Sequence, residues 1–202
     1  LAAGTNGQVL TTGGTGANVS WATVASDYVK LNETALSGAS TYTITPGFSL
    51  DYNHYKIVLT DYSTHSDGGS IYMRVGDASG VRSNSNYRFV VQQATRNSSS
   101  ATGGQTNAGW GDAEWWIGNG TSAASSPPRY NSHTEITLYN VKPGTATYPV
   151  YTTLGFGWDG TSQIRSYNGA GTYDDTVDVN KFYFYTNGGN NWAANCVTYG
   201  IK

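Results

Sequence analysis

The chain has 202 residues, with 11 Lys+Arg against 13 Asp+Glu, a formal charge of −2 and a single Cys. That length suits one large domain, or a domain with a small appendage. Near-neutrality argues against phosphate-driven nucleic-acid binding; one Cys excludes an internal disulfide framework or a Cys-rich zinc site; and no stretch approaches the ~20 apolar residues of a membrane-spanning helix.

Charged residues make up 12% of the chain, about half the usual share. Aromatics are 13%, with 16 Tyr and 6 Trp, and Gly numbers 26. A surface this poor in charge is built from Ser, Thr, Asn, Gly and Tyr. Strands favour Thr, Tyr, Trp and Val, and turns favour Gly and Asn, so composition predicts a folded all-β domain. Short polar groups interleaved with rings suit a neutral, hydroxylated ligand.

Residues 1–26 stand apart. Gly4, Gly7, Gly13, Gly14 and Gly16 punctuate them, and Val9, Leu10, Val19 and Trp21 are among the few large apolar groups. These are too few to bury a core, so the segment is expected to need a partner surface, most simply its own copies. The competing reading is a flexible Gly-rich linker. The opening at Leu1, with no basic and apolar leader, reads as a cut through a longer polypeptide.

Residues 27–202 read as one strand after another. Tyr42–Thr45 ends at the turn signal Pro46-Gly47, and Tyr55–Leu59 is a short apolar run. Ser70–Val75 and Tyr87–Val90 alternate cleanly. Glu114–Ile117, Thr134–Tyr139, Val150–Phe156, Ile164–Tyr167, Lys181–Tyr185 and Val197–Ile201 complete the series. Many short strands separated by turn signals predict a jelly-roll-like antiparallel β-sandwich. Polar stretches 93–111, 118–132 and 186–195 read as long loops, and loops of such length are usually functional or disordered. Trp115 and Trp116 are adjacent, so in a strand one is expected in the core and the other facing solvent or a neighbouring subunit.

Residues that could carry chemistry are sparse. Asp112 and Glu114 share a face if extended, but hydrolysis of a glycosidic bond needs two carboxylates astride the bond, so no enzyme is expected. His54, His65 and His133 have no zinc-motif spacing. Cys196 reads as a small core residue. Asp174, Asp175 and Asp178 form the densest acid cluster; a solvated turn is favoured there over a structural calcium, and no cofactor is expected. The remaining signal is aromatic rings beside short polar side chains: Trp110 with Asp112, Tyr130, Trp158, and Trp192 with Asn190 and Asn191. A ring stacks on the C–H face of a sugar while amides and carboxylates bond its hydroxyls, so these seven residues are the candidate glycan contacts. For each the alternative is a ring that plugs the core.

The opening Ala3-Gly4-Thr5-Asn6-Gly7-Gln8-Val9-Leu10-Thr11-Thr12-Gly13-Gly14-Thr15-Gly16, followed by Val19-Ser20-Trp21, resembles a segment recurrent in bacteriophage tail-fibre and related virion fibre proteins. The Tyr52–Val75 block and the terminal Tyr199-Gly200-Ile201-Lys202 are similar to the C-terminal knobs of such fibres. The resemblance implies a homotrimeric receptor-binding knob exposed on a virion. It would be joined to other virion proteins on its N-terminal side and would adhere to host-surface polysaccharide. The division expected is a fibre or trimerisation segment over 1–26 and a knob over 27–202. The alternatives are a capsid-surface fibre or decoration protein without ligand, a polysaccharide depolymerase, and a secreted carbohydrate-binding module.

Overall fold

The apolar run read in residues 55–59 lies in β5 (His54–Thr64), whose side chains alternate in burial with one slip. Tyr55, Ile57 and Leu59 are buried; after Asp61, whose φ is 54°, the buried face passes to Tyr62 and Thr64. Both flanking strands skip a residue at the same level: β12 (Ser132–Tyr139) between Ser132 and Thr134, and β16 (Trp192–Ile201) between Ala193 and Asn195. An extra residue bends a strand and re-aims the side chains beyond the bend. Here it turns the Tyr62 ring inward.

This is a computed structural model; it describes residues 1–23, 26–64, 69–96, 101–119, 121–122, 132–158, 164–186, 189 and 191–202. The large sheet runs in the order β3 (Tyr28–Ala39), β16, β5, β12, β13 (Val150–Trp158), β14 (Ile164–Tyr173), β8 (Tyr87–Arg96) and β9 (Ala101–Asp112), all antiparallel, with the short β11 (Thr121–Ser122) parallel to β5. The small sheet is β10 (Trp115–Asn119), β6 (Ser70–Asp77), β15 (Lys181–Thr186) and β4 (Thr41–Ile44), with β7 (Gly80–Val81) beside β6. The two sheets enclose one core. Tyr55, Ile57, Leu138 and Tyr151 on the large sheet share it with Met73, Val75, Phe182 and Phe184 on the small one. The chain is thus the expected all-β, jelly-roll-like antiparallel sandwich. On the outer face of the large sheet Val90, Leu154 and Phe156 remain exposed.

The Gly-rich lead segment folds as a hairpin of its own, β1 (Gln8–Thr12) with β2 (Val19–Thr23). The Trp21 indole lies across Gly4, where a Cβ would come within 2.5 Å of the ring, and its Nε1 donates to the Ala2 carbonyl at 2.6 Å. Val9, Leu10 and Val19 are exposed.

Two expectations are corrected. The predicted loop 93–111 is largely a hairpin: β8 continues to Arg96, and β9 begins at Ala101. Gly, Thr and Asn give β9 a loop-like composition, yet its ladder with β8 holds it extended, since strand preference depends more on pairing than on residue type. Similarly, the predicted loop 186–195 ends at Trp192, where β16 begins.

Candidate functional site

Trp110 stands on β9 directly opposite Arg88 of β8 and is 79% exposed. The Arg88 guanidinium lies over its ring, 3.8 Å from the centroid, and pairs with the Asp174 carboxylate. A positive charge against a ring face is attracted by the ring's quadrupole, and Asp174 fixes that charge in turn. The backbone around Trp110 is tight. Gly111 has φ +77°, and a Cβ on Gly109 would overlap both the Asp112 carboxylate and the Phe89 ring. Asp112 therefore folds back across Gly109 on the Phe89 side of the strand, whereas Trp110 lies with Arg88 on the other face. Trp110 and Asp112, expected to act side by side, are thus turned to different faces by the bend at Gly111.

The other candidates separate. Trp192 is 2% exposed; its Nε1 donates to the Ser40 carbonyl at 3.2 Å, and the Tyr42 ring meets it edge-on at 5.1 Å. The core-plugging alternative holds for this residue, which cannot stack on an external ligand. Asn191, one position earlier, is exposed. Tyr130, Asn190 and the side chain of Trp158 lie outside the described residues.

The adjacent tryptophans depart from expectation in the same direction, because both are buried. Trp115 packs on Tyr87 and Tyr151, whereas Trp116 packs on Tyr167 and Val91 from farther along β14 and β8. The large sheet thus covers β10 on both faces.

Beyond Trp116 a groove of about 460 Å³ opens between the β8–β9 hairpin and the β6–β10 side of the small sheet. Tyr72, Phe89 and Trp116 supply its aromatic surface, and Gln93, Gln105, Asn107 and Asn119 its carboxamides. Gln93 and Asn119 are buried and held in a chain of hydrogen bonds. The Ser70 hydroxyl donates to Asn119 Oδ1 at 3.1 Å, Asn119 Nδ2 to Gln93 Oε1 at 3.4 Å, and Gln93 Nε2 to Thr95 Oγ1 at 3.1 Å. Asn119 is gripped from behind as well. Its carbonyl accepts from the Tyr62 hydroxyl at 2.9 Å, and the Tyr62, Thr134 and Tyr167 hydroxyls form one buried cluster. Gly118, at φ +155° where the β10–β6 register slips, leaves room for the Tyr167 ring.

Sequence reasoning placed Gln93, Gln105 and Asn107 in a loop and singled out none of them. The available signal was spacing: Gln105 and Asn107 are two apart, so in a strand they share a face.

Acidic groups here are engaged within the chain. Glu114 pairs with Arg74 at 2.9 Å, away from Asp112. Asp175 accepts from the Thr176 N–H at 2.7 Å, and Asp178 from the Gly144 N–H at 2.8 Å. Among the described residues no three His, Cys, Asp or Glu side chains converge as a metal site. Across β5 and β12, Lys56 meets Glu135 at 2.6 Å, and this hydrogen bond holds the Glu135 carboxyl below its usual range. Cys196 is buried, which pushes its thiol up to about 12.

No family model matches the chain, and no curated protein and no solved structure matches it either.

Proposed function

We propose that the chain is a non-catalytic adhesion domain: the homotrimeric knob of a virion fibre, exposed on the particle and binding host-surface polysaccharide. The observation that carries the glycan part is Trp110, a large ring presented to solvent and set in advance by Arg88 and Asp174. Fixing a contact group before binding lowers the ordering cost of the complex. A sugar stacks its C–H face on such a ring. No bond is made or broken in this reading. Each site is weak, and three sites per fibre gain strength together through high effective concentration.

The fibre part is supported by the lead segment and by uncovered apolar surface. Val9, Leu10 and Val19 on the hairpin, with Leu154 and Phe156 on the large sheet, are groups that copies of the chain would cover. Other virion proteins would join on the N-terminal side.

A host-glycan array read with wild type and Trp110→Ala tests the reading. Wild type should bind a subset of surface glycans, and the variant should bind about tenfold or more weakly with unchanged circular dichroism. Wild type that binds no host component overturns adhesion in favour of a decoration protein. New reducing ends released from host polysaccharide would make it a depolymerase instead.

A further inference from the structure

We infer that the groove between the β8–β9 hairpin and the β6–β10 edge is a second carbohydrate site, taking a neutral saccharide unit by its hydroxyls and one ring face. The inference rests on the adhesion reading above but on different residues, none of them among the contacts expected from sequence.

The groove volume falls in the range of roughly 300–1,000 Å³ usual for small-molecule sites. Its polar equipment is mostly carboxamide, and a carboxamide both donates and accepts, as does a sugar hydroxyl. Gln93 and Asn119 cannot turn to suit any arrival. Each is buried, and the relay from Ser70 through Asn119 and Gln93 to Thr95 orients both planes. Each amide nitrogen in that relay makes one hydrogen bond and carries a second N–H, and both residues line the groove. A buried donor left without a partner is costly, so an incoming hydroxyl oxygen gains there. Gln105 and Asn107 reach in from β9 beside Gln93, across the groove from Asn119, and Tyr72 and Phe89 offer the apolar surface that a pyranose ring face requires. The lining includes no Asp or Glu among the described residues and one cation, Arg165, whose guanidinium N–H groups are of the donor type that hydroxyl oxygens accept from. The bulge at Gly118 and the Tyr62–Tyr167 cluster hold Asn119 from behind.

The test is a titration followed by two-dimensional NMR of Asn, Gln and Trp side-chain N–H groups. Glucose, galactose, mannose and N-acetylglucosamine are added separately to millimolar concentrations to wild type, to Gln105→Ala/Asn107→Ala, and to Trp110→Ala. Both substituted positions in the double variant are at least partly exposed, so the fold should be retained; a superimposable amide spectrum checks this. At least one sugar should shift the Gln93, Gln105, Asn107 and Asn119 side-chain signals. The double variant should bind that sugar at least tenfold more weakly, and Trp110→Ala should leave the groove shifts unchanged. Shifts confined to the Trp110 indole overturn the second site and leave adhesion through Trp110 standing. Groove shifts with a silent Trp110 do the reverse. If no signal moves with any of the four sugars, the groove is not a carbohydrate site. Shifts equal in wild type and double variant would also sink it.

Discussion

At the scale of single residues, the sandwich depends on places where a side chain has been left out. Gly155 on β13 is the sharpest case. A Cβ there would lie 2.4 Å from the Tyr167 ring and 2.5 Å from the His133 carbonyl. Neither can retreat easily, because Tyr167 is wedged among Tyr62, Thr134 and the Asn119 carbonyl. Gly155→Ala should therefore destabilise the protein by about 1–3 kcal/mol, the usual cost of overfilling a packed site. Urea denaturation checks this, and an unchanged midpoint would mean that β13 and β14 yield where the packing says they cannot. No sequence pattern announced this. Gly155 was read only as part of the strand Val150–Phe156, and the ring that excludes a side chain there comes from twelve positions away. Trp192 was misleading for a related reason. Its asparagine-rich surroundings looked like a loop, while Ser40 and Tyr42, which bury it, are about 150 residues earlier.

At the scale of elements, strands with alternating side chains were legible and those made of small polar residues were not. β6 and the start of β8 announced themselves through clean alternation, and β5 through its apolar run. β9 did not, because Gly, Thr and Asn carry no strand signature and its extension comes from pairing with β8. The polar groove was hidden with it. The lead hairpin has the opposite character: its strands pair only with each other, and its apolar side chains stay exposed. If copies of the chain cover them, removing residues 1–23 should leave the sandwich folded and lower its oligomeric state. Light scattering with circular dichroism reads both quantities. A full-length chain that is already monomeric would sink the homotrimer, and a truncated chain that loses its sheets would mean the hairpin belongs to the core.

For the whole molecule, the unusual property is how the tyrosines are distributed. Tyr55, Tyr62, Tyr87, Tyr151, Tyr167 and Tyr173 are each at most 2% exposed. Burial raises all six phenols above the ordinary value of 10, and pushes Tyr62 up to about 12. A raised phenol contributes stability in full below pH 10. It loses that stability as the pH climbs from there through its folded value, because the unfolded chain ionises first. With several phenols acting together the fold should be alkali-labile. A pH titration should show the phenolate absorbance of these six rings appearing together with loss of the β-sheet signal. Phenolate absorbance that is complete before any sheet is lost would contradict the burial of these rings.

The order of the large sheet sets a timetable for its assembly. β3 and β5 do not pair with each other; β16 lies between them, bonded to both along its length. A ribosome makes residues 28–39 early and 192–201 more than 150 residues later, so β3 waits throughout synthesis without its neighbour. Contacts so distant in sequence close slowly. Until β16 arrives, β3 has no place in the sheet and β5 keeps an open edge, the kind of surface on which nascent chains recruit chaperones or one another. The interval before β16 arrives is thus the stage at which this sheet offers an unpaired edge.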